Sequence, residues 1–190
     1  SRHGTSCAIA ASGIVDRGVV CWDQFGFRSD VPANIVNPRE IQVAGYQSCA
    51  IADSGVHCWG YSDSILEQGF VAPHGLVIGG SLSGCVLDGD RVECWGDLVP
   101  LEDSQPASLM NPKQLDVLGL NACVLDDNGV QCWGDDTRYQ QIPVLSHPRQ
   151  IEFAGSVACA LDDNGTACWG GNFYRGQARN VPQNLVNPKQ

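Results

Sequence analysis

The sequence has few lysines, few aromatic residues and no long apolar run. Lys113 and Lys189 are its only lysines, and its formal net charge is -10. Nucleic acids and anionic membrane surfaces require clustered Lys and Arg, so the composition disfavours both as partners. Apolar runs such as residues 76–78 are far too short to cross a bilayer, which disfavours membrane insertion. The opening residues, SRHGTSC, do not resemble a signal peptide.

Turn-forming residues are abundant in this sequence, whereas charged and aromatic residues are scarce. The chain of 190 residues contains 22 glycines and 10 prolines, against 7% aromatic and 17% charged residues. Frequent turns between short apolar segments are typical of β-structure rather than of long helices. We therefore expect an all-β protein with enough apolar residues to form a core.

The ten cysteines form five pairs along the sequence. Four pairs share a spacing of nine residues, and an even number at regular spacing is typical of disulfides in an oxidising compartment. Zinc sites instead use ligands two to four residues apart, and the four histidines occupy no common repeat position. The predicted disulfides are Cys7–Cys21, Cys49–Cys58, Cys85–Cys94, Cys123–Cys132 and Cys159–Cys168.

Residues 123–134, CVLDDNGVQCWG, predict a β-hairpin. Two apolar runs flank a turn-forming DDNG cluster. A turn centred between Asp127 and Asn128 places Cys123 opposite Cys132, close enough for a disulfide. Trp133 then points to the opposite face of the sheet.

This hairpin occurs five times along the chain. The second cysteines, each followed by Trp, lie 37, 36, 38 and 36 residues apart. In three units an alternating strand precedes the hairpin, and a proline corner stands eleven residues before the first cysteine, as in Pro112 to Cys123. A short apolar segment before each corner predicts a fourth strand; these segments are Ile35-Val36, Leu109-Met110, Val144-Leu145 and Leu185-Val186.

Four antiparallel strands in a unit of about 38 residues indicate a β-propeller blade. We predict one propeller domain over residues 1–190, with five four-stranded blades and one disulfide in each. The approximate repeats are 1–38, 39–73, 74–112, 113–148 and 149–190. The two ends of the chain share nearly the same phase of the repeat. This favours a closed ring, and the alternative is a fragment of a larger propeller or array.

The repeat resembles that of the regulator of chromosome condensation family. The resemblance is carried by CAIADSGVHCWG, CVLDDNGVQCWG and CALDDNGTACWG, by the Ala-Gly ends of two strands and by Gly176-Gln177. It implies a β-propeller, commonly seven-bladed with longer repeats. Nuclear members act as exchange factors for a small GTPase, whereas secreted members look like binding modules. The paired cysteines and acidic charge resemble the secreted kind, and no residue here justifies carrying over exchange activity.

The order of strands and turns in one unit predicts two rims of the propeller. The proline corners and acidic turns share one rim, where basic residues such as Lys113 should balance the turn carboxylates. The loops after each Trp, together with the Ala-Gly turns, form the other rim, which is more varied and more aromatic. Variable loops on a rigid scaffold are typical binding surfaces. The candidate binding residues are Phe25, Tyr46, Tyr61, Asp63, Asp135, Arg138, Tyr139, Asn172, Phe173, Tyr174 and Arg175.

Other candidate sites have ordinary structural explanations. His57 stands two residues before Trp59 and is interpreted as a propeller histidine rather than a catalytic one. The acidic turns lack the spaced ligands that calcium needs, so we expect no metal or other cofactor. The five Cys-Trp tryptophans are expected to fill the space between blades. Asn164-Gly165-Thr166 is an N-glycosylation sequon at a predicted exposed turn.

These observations predict a secreted, extracellular, periplasmic or cell-surface module that is not an enzyme and binds a protein partner through the rim of loops after Trp. One alternative is a structural subunit of an extracellular array or filament, formed by self-association. Another is a multivalent lectin for carbohydrate. A lectin should repeat the same loop residues in each blade, and the loops DQFGF, YSDS, DLVP, DDTRY and GNFYR differ.

Overall fold

The computed structural model describes residues 5–10, 18–23, 25–28, 31–44, 47–60, 64–66, 69–80 and 83–171. The chain divides into two compact units. The first comprises Ser1–Gly89 and Glu93–Leu98, and the second comprises Asp90–Val92 and Val99–Gln190. No helix among the described residues is long and apolar enough to span a membrane.

The first unit is built from antiparallel sheets of consecutive strands. Its first sheet has the order β1-β2-β3 and its second the order β4-β5-β6-β7. A third sheet has the order β8-β9-β10. Residues 91–92 of β10 belong to the second unit and residues 93–95 to the first. The strands are β1 Ser6–Ile9, β2 Val19–Asp23, β3 Gly26–Arg28, β4 Glu40–Ala44, β5 Gln47–Ala52, β6 Gly55–Gly60, β7 Ser64–Leu66, β8 Pro73–Gly80, β9 Ser83–Asp88 and β10 Arg91–Trp95.

The second unit contains a short helix and two further sheets. A 3-10 turn, Gly96–Leu98, leads into α1, Val99–Asp103. Two three-stranded sheets follow in the orders β11-β12-β13 and β14-β15-β16. Their strands are β11 Gln114–Val117, β12 Asn121–Asp126, β13 Gly129–Gly134, β14 Gln150–Ala154, β15 Val157–Asp162 and β16 Gly165–Gly170.

The hairpins have the register that the cysteine spacing predicts. Cys123 lies directly opposite Cys132, and the closing pair Asp126 and Gly129 leaves a two-residue turn. Gly129 has φ +110, a conformation that side chains rarely adopt, which explains the glycine at the end of the turn. All five predicted disulfides are present, and the described residues include no free cysteine.

The prediction of a fourth strand before each proline corner is wrong for the three segments that the structure describes. Residues 35–36, 109–110 and 144–145 are not in strands. Met110, for example, accepts a single backbone bond, from the N–H of Asp127 (2.8 Å), instead of forming a ladder. Pro32, Pro106 and Pro143 lie close before these segments and lack the N–H that a ladder needs. Residues 185–186 lie outside the described part of the chain.

An outer strand does occur, but it comes after Cys-Trp-Gly. Strand β7 pairs with β6, with Leu66 opposite Val56 and Ser64 opposite Cys58. In the first sheet, β3 pairs with β2 in the same way. One sheet therefore has four strands, and the other four have three among the described residues.

Within each unit, neighbouring hairpins contribute residues to shared buried clusters. Trp95 packs with Cys49, Ile51, Val56 and Cys58 of the preceding hairpin, in one buried cluster. Trp169 belongs to an equivalent cluster with Cys123, Leu125 and Tyr139. Four of the five tryptophans are buried, whereas Trp22 is 41% exposed. Trp95 and Trp169 thus each lie beside a cysteine of the hairpin before them.

The proline corner at Pro73 differs in spacing from the other corners, and bulges in strand β8 accommodate the difference. Pro73 precedes Cys85 by twelve residues rather than eleven. Strand β8 shifts its register against β9 between His74 and Val77, and again between Ile78 and Gly80. Such bulges let one strand hold more residues than its partner without breaking the sheet.

Candidate functional site

The loops that follow the tryptophans differ although the hairpins before them match. After Trp95 the chain forms the 3-10 turn and α1. After Trp133 it forms a series of turns. In these, Tyr139 N–H donates to the backbone carbonyl of Asp136 (3.1 Å) and Gln140 N–H to that of Thr137 (3.2 Å). Equivalent scaffolds therefore present different loop conformations.

An ion pair fixes the loop after Trp133. The Arg138 guanidinium donates from Nε to both carboxylate oxygens of Asp136, at 2.8 and 3.1 Å, and from Nη2 to Oδ2 at 2.5 Å. Asp136 N–H in turn donates to Asn121 Oδ1 at 2.8 Å. The bonds from Arg138 lower the pKa of the Asp136 carboxyl. The pair holds Arg138, a predicted binding residue, in one orientation, while the predicted residue Asp135 beside it is exposed.

Tyr139 is not at the surface. Its side chain is 4% exposed, and its ring meets Phe153 edge-on with centroids 5.1 Å apart. The hydroxyl donates to the carbonyl of Ser156 at 3.1 Å, and burial raises the pKa of this phenol. Tyr139 therefore packs in the core of the second unit and does not belong to the candidate binding surface.

The backbone of the same loop also supports the next tryptophan. Trp169 Nε1 donates to the carbonyl of Tyr139 at 2.7 Å, and Trp133 Nε1 donates to that of Leu101 at 2.8 Å. Each acceptor follows the preceding Trp by six residues, since Leu101 comes six after Trp95 and Tyr139 six after Trp133. Trp133 thus bonds to the preceding loop, a connection that sequence patterns do not reveal because the acceptor is main-chain.

Of the remaining predicted rim residues, the structure describes only Phe25. Its ring is 82% exposed, and its N–H donates to Asp23 Oδ1 at 2.7 Å. The others lie outside the described residues; they are Tyr46, Tyr61, Asp63, Asn172, Phe173, Tyr174 and Arg175. Among the described rim residues, Phe25, Asp135 and Arg138 remain candidates for binding.

Three proline corners contact the acidic turns that follow them. The predicted pairing of a basic residue with the turn carboxylate is found at two of these corners, whereas Arg149 donates to the carbonyl of Asp162 at 2.9 Å. Arg39 lies 3.6 Å from Asp53, and Lys113 Nζ lies 2.5 Å from Asp127. The residue before the corner proline also bonds to the turn aspartate, sixteen positions later. These bonds join Asn37 to Asp53 (2.6 Å), Asn111 to Asp127 (3.2 Å) and His147 to Asp163 (2.8 Å). The carboxylates of these turns are therefore engaged in structural contacts.

A second aspartate in each of two acidic turns was missed by sequence reasoning. Asp126 is 3% exposed and accepts bonds from Met110 N–H (2.8 Å), Asn128 N–H (2.7 Å) and Gln131 Nε2 (2.8 Å). Asp162 accepts in the same way from Ser146 and Asn164. The available signal was an Asp three residues after the first cysteine, but Asp at a turn is usually exposed.

A groove lies beside the outer strand of the fourth hairpin. It has a volume of about 800 Å³ and is bounded by residues 126–130 on one side and residues 142–148 on the other. Val130, Ile142 and Leu145 pack against the hydrophobic cluster beneath it, whereas Val144 is 100% exposed. A smaller groove of about 500 Å³ is polar and includes Asp90, Glu102 and Asp103.

The predicted glycosylation residue lies on a hairpin turn. Asn164 is exposed, and Thr166 follows on β16. The backbone N–H of Asn164 donates to Asp162 Oδ1 at 2.8 Å. The side-chain amide of Asn164 forms no hydrogen bond among the described residues. The amide nitrogen is thus accessible.

His57 is a core residue. It is 2% exposed, its Nε2 lies 2.7 Å from the Ser54 hydroxyl, and burial lowers its pKa. Its Nδ1 has no partner among the described residues, so the group that orients the base in a Ser-His-acid triad is missing there. Within the described part of the chain, no three His, Cys, Asp or Glu side chains are placed to hold a metal ion.

No protein-family model matches the sequence, and no curated protein is similar to it at a significant level. Similar solved structures include the following three. The CRINKLY WD40 ectodomain of the receptor kinase ACR4 from Arabidopsis thaliana has a TM-score of 0.58 and 21% identity, over 88% of this chain and 65% of that one. The entire ectodomain of the receptor kinase CR4 from Physcomitrella patens has a TM-score of 0.65 and 20% identity, over 96% and 52%.

Human WBSCR16 is the third, with a TM-score of 0.59 and 15% identity over 87% of this chain and 60% of that one. The chain thus spans between about half and two thirds of the length of these proteins. At such identities the likeness shows the fold alone. The chain has an all-β, disulfide-bonded fold of the kind found in WD40-type β-propeller ectodomains.

Proposed function

We propose that this chain is an extracellular, non-enzymatic module that binds a protein partner through the variable loops after its tryptophans. One observation carries the proposal. The loops after Trp95 and Trp133 adopt different structures on equivalent disulfide-bonded hairpins. A constant scaffold with variable loops separates folding from recognition, which is how many binding domains achieve specificity.

Further support comes from the compartment that the cysteines require. Five disulfides persist in an oxidising environment such as the extracellular space. Two of the similar structures are receptor-kinase ectodomains. A secreted or cell-surface location fits both observations.

The exposed residues of the loops supply the recognition chemistry. Phe25 offers an aromatic ring that is 82% exposed, and Arg138 offers a guanidinium held by Asp136. Aromatic and Arg side chains are enriched among the residues that contribute most to protein interfaces. Arg39, which is paired with Asp53 and lies outside these loops, provides a matched control.

The test is retention of a partner from the extracellular fraction of the source organism, quantified by mass spectrometry. We expect Phe25→Ala and Arg138→Ala, made separately, each to reduce retention of a specific protein by about tenfold, the loss of one interface hot spot. Arg39→Ala should leave retention unchanged. Equal retention by all three variants, each with five disulfides intact, would remove the loops from the interface.

A further inference from the structure

Among the residues that the structure describes, no strand or side chain covers the outer edge of β13, unlike the same edge in the two hairpins before it. The Cα atoms of Cys123 and Cys132 are 4.1 Å apart, which is typical of a non-hydrogen-bonded pair. The backbone groups of Cys132, and of Val130 two residues before it, therefore point away from β12. Among the described residues nothing bonds to these outward groups.

In the second hairpin, the equivalent edge is covered by a strand of the chain itself. Strand β7 pairs there with Val56 and Cys58, which correspond to Val130 and Cys132. Val56, His57 and Cys58 are at most 2% exposed. By contrast, the corresponding residues of β13 are only half-buried.

In the third hairpin, one side chain covers the edge. Gln105 Oε1 accepts from Val92 N–H at 2.8 Å, and Gln105 Nε2 donates to the Val92 carbonyl at 3.0 Å. Val92 occupies the same hairpin position as Val130. The Gln105 amide thus forms both backbone bonds that a neighbouring strand would form. Open edges favour unwanted pairing, and proteins usually cover them.

The space beside β13 is suited to an extended chain. The groove of about 800 Å³ runs between the turn at residues 126–130 and the segment at residues 142–148. Ile142 and the fully exposed Val144 give its outer wall an apolar surface. The charged groups at its end, Lys113 and Asp127, already pair with each other.

We propose that the groove binds an extended peptide segment of a partner protein, apolar at its centre, which adds a strand to β13. The segment runs antiparallel to β13, as β7 runs to β6. Main-chain bonds to Val130 and Cys132 supply affinity, and contacts with Ile142 and Val144 select apolar side chains. This inference rests on the proposed role as a protein-interaction module and assigns it a second binding surface.

The test uses a phage-displayed library of random ten-residue peptides, selected on the disulfide-bonded protein. We expect enriched peptides to slow hydrogen exchange at the amides of Val130 and Cys132 by at least about tenfold. Val144→Asp should weaken binding by about tenfold or more, because it places a charge in the apolar wall. The matched control is Val71→Asp, since Val71 is also exposed (90%) and lies outside the groove.

A second variant addresses the backbone directly. Val130→Pro removes the outward N–H and leaves the ladder with β12 intact, a position where edge strands tolerate proline. It should weaken peptide binding by about fivefold or more, whereas Val130→Ala, which keeps the N–H, should not. Far-ultraviolet circular dichroism and a count of five disulfides show that each variant is folded.

Three results would overturn the inference. The first is no peptide enrichment. The second is binding that is insensitive to both Val144→Asp and Val130→Pro. The third is concentration-dependent dimerisation that protects Val130 without peptide, which would assign the edge to a second copy of the chain. The rim variants Phe25→Ala and Arg138→Ala should not affect peptide binding, so failure of this inference is distinguishable from failure of the proposed function.

Discussion

At the residue scale, the indole nitrogen of the repeated Trp connects one repeat to the next. Trp133 donates to the carbonyl of Leu101 and Trp169 to that of Tyr139, both from buried positions. Trp95 is equally buried, yet its Nε1 has no partner among the described residues. Trp95 is therefore a matched reference for the contribution of this hydrogen bond.

We predict that Trp133→Phe lowers the free energy of unfolding by about 1 kcal/mol more than Trp95→Phe. Both substitutions remove similar apolar volume, but only Trp133→Phe leaves a buried carbonyl without its donor. Urea unfolding of the oxidised proteins, followed by circular dichroism, measures the difference. Equal losses would show that the bond to Leu101 contributes nothing net.

Residue identity alone predicted some of these roles and not others. The disulfides followed from the even spacing of the cysteines. For His57 the sequence predicts a satisfied or semi-exposed side chain, whereas the structure buries it and leaves Nδ1 without a partner among the described residues. Tyr139 was predicted at the binding rim because exposed aromatics are typical there, but the structure buries it. Its burial depends on contact with Phe153, which belongs to a different repeat and lies 14 positions away.

At the scale of the element, a buried carboxylate joins the acidic turns of the fourth and fifth hairpins to the segment before the proline corner. Asp126 accepts three hydrogen bonds, one of them from the backbone of Met110 sixteen residues earlier. Asp127, its neighbour, makes exposed contacts with Lys113 and Asn111. The two adjacent aspartates thus have different structural roles.

We predict that Asp126→Ala lowers the free energy of unfolding by about 2–3 kcal/mol, because it leaves buried donors unsatisfied. Asp127→Ala should change it by no more than about 1 kcal/mol, since exposed ion pairs stabilise little. Thermal and urea unfolding of both variants at neutral pH provide the comparison. Similar effects for the two would show that Asp126 is not the buried acceptor described above.

The strands themselves were largely predictable from periodicity and turn residues. Residues 123–134 form the predicted hairpin with the predicted register. The fourth strand was assigned to the wrong side of the hairpin, because the segments before the corners are apolar like strands. Alternate residues there face different surroundings, since Leu109 is buried and Met110 is 55% exposed. Apolar pattern alone could not show that these residues bond to a turn rather than to a strand.

At the scale of the whole molecule, the similar solved structures support an all-β, propeller-type fold. They do not show a family, so family membership depends on the sequence motifs alone. The resemblance to the regulator of chromosome condensation repeat remains an interpretation of those motifs. The number of blades, the closed ring and the filament or lectin alternatives also remain hypotheses. Composition restricts partners more than it identifies them, because a net charge of -10 disfavours polyanions without selecting a protein.

The compartment gives a prediction for the whole protein. When the chain is secreted from cultured eukaryotic cells, we expect one N-glycan at Asn164, an exposed residue on a turn. Intact-mass measurement before and after peptide N-glycosidase treatment detects it, and Asn164→Gln should abolish it. Val130→Thr creates the same sequon at Asn128, the equivalent turn residue, and should add a second glycan. Secreted protein without a glycan at Asn164, alongside a modified Asn128 in Val130→Thr, would contradict the prediction.

The tryptophan bonds described above constrain how the loops can diversify. Because the acceptor is a main-chain carbonyl, Leu101 and Tyr139 serve equally well despite their different side chains. Substitution in the loop is therefore tolerated, whereas an insertion or deletion within six residues of the Trp would displace the carbonyl. Loop sequences should vary freely in identity while keeping a fixed count from the Trp. A library for new specificities can accordingly randomise residues there but should lengthen the loop only beyond the sixth position.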